Sequence, residues 1–174
     1  GSSDDTKEPD TEPTKTSKTD TKTPSEDDIQ KAIEEDNTIF DLVETSENLT
    51  NTLLIAVTNT ESGTTTTLDV YDLSGQTERS QYNLSSQLPK KDGTNDEYVE
   101  AAKNYILNGM MIASDMHSYL DKNKLDDLSD YKKRVEAQQN YTLSVVSARM
   151  VYLSDAGVPE DKINEILGTN SDTE

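Results

Sequence analysis

The chain has 174 residues, a net charge of −19 and only 30% apolar residues, against roughly 45–50%, counting Gly, in an ordinary globular domain. That charge, with no basic cluster, argues against nucleic acid and anionic lipid as ligands, and no apolar run approaches the about 18 residues of a membrane-spanning helix. The absence of cysteine removes a disulfide framework, a thiol catalyst and a Cys-ligated zinc site.

Residues 1–25 contain no Ala, Val, Ile, Leu, Met, Phe, Trp, Tyr or Cys, and neither do residues 168–174. Ordering them would bury nothing that offsets the lost chain entropy. The expected organisation is a disordered Thr/Lys/acid-rich tether over 1–25, a helical domain over 26–167 and a disordered tail over 168–174. Gly1-Ser2-Ser3-Asp4-Asp5, followed by the Thr/Lys/acid-rich stretch, resembles the mature N-terminus of a Gram-positive bacterial surface lipoprotein. The resemblance implies a lipidated Cys just before Gly1, and so a lipid-anchored place on the extracellular face of the cell membrane. It covers about 25 residues and names no family for the rest.

Ser25-Glu26-Asp27-Asp28 has the pattern of a helix start with acids in the first turn. From there two apolar rows run together. One is Ala32, Ile39, Leu42, Ser46, Leu49, Leu53, Ala56, and the other is Ile29, Ile33, Phe40, Val43, Leu54, Val57. They predict one long helix over 25–60 with the broad stripe of a bundle member. The competing reading is a β-hairpin around residues 52–73, because Thr52–Thr58 and Thr64–Tyr71 are rich in β-branched residues and Glu61-Ser62-Gly63 suits a turn. A second, poorer helix is expected over 66–88, with Leu68, Tyr71, Gly75, Tyr82 and Leu88 on its inner face.

After a loop at 88–94, Thr94-Asn95-Asp96-Glu97 reads as a capping box. Tyr98, Ala102, Tyr105, Gly109, Ile112, Met116 and Tyr119 then step by four and three, widened by Val99, Ile106, Ala113 and Leu120. Asp121–Asp127 is expected as a turn. A fourth helix follows from about Leu128 to Asp155, its register held by Tyr131, Val135, Thr142, Val145 and Tyr152. Gly157 stops it, and Pro159 opens a short fifth helix with Ile163, Ile166 and Leu167 inward. The predicted fold class is all-α: an antiparallel four-helix bundle with a short C-terminal helix.

The chemistry-bearing motifs are weak. His117 is the single histidine, and Asp121 lies one helical turn on. A carboxylate-bridged di-iron bundle needs Glu-x-x-His on two helices, and Ser114 stands where the Glu would be. The Asp121–Asp127 stretch lacks the glycine and the final Glu of a calcium loop, its twelfth position being Lys132. No Gly-x-Ser-x-Gly and no Gly-rich phosphate loop occurs. The expectation is therefore no enzyme, no catalytic residue, no cofactor and no metal.

The aromatic set is skewed, with eight Tyr, one Phe and no Trp. Tyrosine can bury its ring and keep its hydroxyl hydrogen-bonded, so a Tyr-lined seam suits a polar bundle. The same residues would also suit a partner or ligand surface, made of Tyr98, Tyr105, Gly109, Met116, Tyr119, Tyr131 and Tyr152. The functional expectation is a protein-binding module at the bacterial cell surface. Its partner is an envelope protein, and it touches the membrane only through the anchor and binds no nucleic acid. A small-ligand sensor or carrier binding between the helices is the first alternative, and a structural spacer the second.

Overall fold

The computed structural model describes residues 23–168. The expected tether, apart from its last three residues, and the expected tail beyond Gly168 lie outside the described residues. The described chain forms five α-helices and no strand: α1 Glu26–Glu61, α2 Thr67–Ser86, α3 Asp96–Lys122, α4 Leu125–Asp155 and α5 Glu160–Leu167. α3 is central, packing extensively on α2 and α4 and also on α1. α1 lies against α2 and α3 but meets α4 only sparsely, and α5 packs on α4.

α1 starts where its sequence specifies. The Ser25 hydroxyl accepts from the Asp28 amide at 3.1 Å, and the Asp28 carboxylate accepts from the Ser25 amide at 3.2 Å. Just before α1, the Pro24 ring packs where a side chain on Gly157 would lie. The hairpin around residues 52–73 does not form, since 52–61 continue α1 and 67–73 begin α2. The helical stripe outweighs β-propensity here: Leu53 is wholly buried. The hydroxyls of Thr52 and Thr58 bond back to the carbonyls of Asn48 and Leu54, within the helix.

Four local expectations need correction. The inner face of α2 is Val70, Ser74, Gly75, Thr77 and Gln81, while Leu68 and Tyr82 are 67% and 62% exposed. The apolar count misplaced that face because its buried residues are mostly polar. At the start of α3 no capping box forms. Asn95 is the cap residue but makes no side-chain cap bond. Its carboxamide instead turns inward to Glu35 and the Lys90 carbonyl, and Asp92 takes the amides of Thr94 and Asn95. The expected turn at 121–127 shrinks to Asn123, in the left-handed conformation (φ 56°), and Lys124, so α4 begins at Leu125. Likewise Pro159 precedes α5 as its cap rather than serving as its first residue.

The core divides into two apolar clusters. One joins Ile39, Val43, Tyr98, Ala102, Ile106, Val145, Leu153 and Ile163. The other joins Leu53, Val70, Ile112, Ala113, Met116 and Tyr131. Between them runs a polar waist. Gln81, wholly buried, donates to the Ser46 carbonyl (3.2 Å) and the Thr50 hydroxyl (2.9 Å) and accepts from the Ser46 hydroxyl (2.6 Å). On the other side of α3, Asn108 donates to the Arg134 carbonyl and the Gln138 side chain, and Gln138 donates to the Tyr105 hydroxyl. Every buried side-chain nitrogen and oxygen of the described residues has a partner, as a buried polar layer requires if it is not to destabilise the fold.

Candidate functional site

The residues singled out as a partner or ligand surface lie inside. Tyr98, Tyr105, Gly109, Met116, Tyr131 and Tyr152 are buried, and Tyr119 is half-buried. They form the polar, Tyr-lined seam. The Tyr98 hydroxyl donates to Asp36 (2.6 Å), and that of Tyr152 donates to Glu35 (2.7 Å). The two rings tilt against each other with centroids 5.5 Å apart. Burial is the main cause raising the ionisation of all four buried tyrosines: Tyr105 to about 12, Tyr131 by burial alone, and Tyr98 and Tyr152 further with help from the adjacent carboxylates.

At the centre of this end of the bundle is an ion pair that hydrophobic periodicity could not find. Arg149 donates through Nε and Nη2 to both oxygens of Asp36, at 2.7 and 3.0 Å. The Asp36 side chain is wholly buried and that of Arg149 is 8% exposed. Such a pair is favourable only with both partners in place, because either charge alone would be stranded. The Arg149 guanidinium also lies 3.7 Å over the centre of the Phe40 ring, a cation–π contact that fixes the ring's position.

Phe40 so held forms the floor of an open groove where α1 and α4 fail to close on each other. The groove measures about 600 Å3 and is bordered by Phe40, Asp41, Glu44, Val146, Met150 and the α5 residues Ile166 and Leu167, among others. Leu143 lies seven and three residues before Met150 and Val146, so all three share one face of α4. Leu143, Met150 and the adjoining Val151 are 57%, 45% and 48% exposed. Leu143 and Met150 thus leave large apolar side chains exposed on one face of α4. The α1 rim is acidic: Asp41 and Glu44 are exposed and take part in none of the ion pairs among the described residues.

A second cleft, of about 860 Å3, opens between the start of α1, the α2–α3 loop and the end of α4. Tyr152 is the one candidate residue that borders it. Its carboxylates largely serve the fold. Asp28 caps α1, Glu35 accepts from Tyr152 and Asn95, and Asp92 is held ionised below the usual carboxylate range by its bonds from Thr94. Among the described residues no group of three or more His, Cys, Asp or Glu is placed to hold a metal ion. No helix there is long and apolar enough to cross a membrane.

His117 is drawn toward α2. Its ring stacks on Tyr71 with centroids 4.1 Å apart, and Nδ1 lies 3.1 Å from the Tyr71 carbonyl and 3.3 Å from the Ser74 hydroxyl. Asp115 turns to Arg134 at 2.7 Å, and burial raises its ionisation against the pull of that arginine. Comparison of the chain with protein-family models, curated proteins and solved structures returns no match.

Proposed function

We propose that the chain is a protein-binding module that docks a partner in the groove between α1 and α4 and performs no catalysis. The observation that carries this reading is the apolar set Phe40, Leu143, Val146 and Met150, exposed or half-exposed beside a groove with a fixed floor. An antiparallel four-helix order, with α5 covering one end, is part of the proposal. It is supported by the pairing of early α1 with early α3 and late α4 through Asp36, Tyr98 and Arg149. So is a lipid-anchored place outside a Gram-positive cell, where the partner is an envelope protein; the composition of residues 1–25 supports that setting.

A photo-reactive amino acid in place of Met150, compared with one in place of the exposed Lys103 on α3, tests the docking face. The expected result is a discrete crosslinked envelope protein from position 150 and none from 103. That protein, once purified, should bind the unmodified chain in direct titration. Equal labelling from both positions, or none from 150, would refute the reading.

A further inference from the structure

On the docking reading above, we infer that the groove between α1 and α4 takes a cationic amphipathic helix of a partner protein. α5 already shows what this surface accepts. It is an eight-residue helix that buries Ile163 and sets Ile166 and Leu167 against the groove at three- and four-residue spacing. The apolar lining also includes Val146, Met150 and Phe40, one face of whose ring is covered by Arg149. A helix carrying apolar residues at the same spacing fits there, as in other helix-in-groove complexes.

Charge selects among the occupants. Asp41 and Glu44 edge the groove and join none of the ion pairs among the described residues, while Arg149, the cation that also lines it, faces Asp36. The one base of α4 beyond Arg134 is Arg149, and it is committed to Asp36. Residues 1–22 and 169–174 carry no aliphatic or aromatic side chain that could form such a seam. A second copy would bring another acidic rim on a chain of net charge −19, and like-charge juxtaposition opposes it. Lysine or arginine flanking an apolar seam satisfies both the groove floor and its rim.

Two synthetic helical peptides test this. Both carry the same Leu/Ile seam, one with Lys and the other with Glu at the flanking positions, and both are titrated into the full chain. The Lys peptide should bind saturably, move the amide resonances of Phe40, Val146 and Met150, and weaken as salt rises. Its Glu twin should bind at least about tenfold more weakly. Asp41→Lys with Glu44→Lys should reverse the preference, and Met150→Glu should abolish Lys-peptide binding with the thermal midpoint unchanged. Equal binding of the two peptides, binding of neither, or resonance changes away from the groove would overturn the inference. So would a dimer in sedimentation that buries these residues. Crosslinking from position 150 alongside charge-blind peptide binding would leave the docking reading standing and remove this one.

Discussion

Gly109 faces Gln81 and Thr50 of the polar waist, and alanine there sets two known effects against each other. In a helix interior the change from Gly to Ala is worth about 1 kcal/mol in favour of folding. The added methyl, however, would lie 2.7 Å from Gln81 Nε2, 2.9 Å from the Thr50 hydroxyl and 3.1 Å from Gln81 Cδ. Gln81 is the end of a flexible side chain but has no freedom to retreat. It is wholly buried and holds three hydrogen bonds to Ser46 and Thr50. Making room breaks at least one of them, which costs about 1–3 kcal/mol for the stranded group, and overpacking adds about 1–3 kcal/mol. Gly109→Ala should therefore destabilise the domain by about 1–5 kcal/mol net, read as a lower urea midpoint with an unchanged slope. Gly75→Ala is the control. There the nearest atoms are His117 Cε1 and Nδ1 at 3.2 and 3.3 Å, on a half-buried ring that can yield by a few tenths of an ångström. It should cost at least about 1 kcal/mol less. A Gly109→Ala variant as stable as the parent, or equal costs at the two glycines, would refute the clash argument.

Asp36→Ala should cost about 3–5 kcal/mol by stranding Arg149, whereas Asp36→Leu with Arg149→Met should cost far less, and a denaturant-melt cycle measures the coupling. Tyr98, Tyr105, Tyr131 and Tyr152 keep their protons above the ordinary value of 10.0 when folded. Their stabilising contribution is full below that pH and is lost as pH rises past it, on the order of 1.4 kcal/mol per unit for each tyrosine still protonated. Stability measured across the alkaline range, with tyrosinate absorbance in parallel, should show unfolding and ionisation rising together. Leu68→Ser and Tyr82→Ser should change stability by less than about 0.5 kcal/mol, because both side chains are mostly exposed. A larger loss would mean that α2 packs in a different register.

The long helices were legible because their apolar rows stay in register for many turns. The Tyr98–Met116 row of α3 is buried as its spacing predicts; in α1 Ala32, Ile39, Ser46 and Leu53 are buried too, but Leu42 and Leu49 of the same row are half-buried and Val43 and Thr50 take the inward places. What the sequence concealed was polar. Asp36 falls between Ala32 and Ile39, Gln81 between Thr77 and Leu84, and Arg149 between Val145 and Tyr152. Each occupies an inward slot that a hydrophobicity count scores as surface. The signal was present as gaps in otherwise regular stripes, but only a structure says which gap meets which. The same blindness misplaced the face of α2. It also turned the tyrosines into a candidate surface, since spacing gives a side and not what covers it.

The polar residues inside this domain bear on its uniqueness as much as on its stability. With so few apolar residues, sliding α1 by one turn, about 5.4 Å, would still bury leucines and isoleucines against α3 and α4. It would also part Asp36 from Arg149 and Tyr98, and Ser46 and Thr50 from Gln81. Each buried group left alone costs more than the misplaced apolar contacts return. The ion pair and the glutamine therefore count against such a slipped register. The native register brings Arg149 over Phe40, so the network that fixes the packing of α1 against α4 also sets the floor of the groove between them. Loosening it by Asp36→Ala should blunt binding of the cationic peptide even at temperatures where the variant stays folded. An unchanged affinity in that folded variant would uncouple the network from the groove.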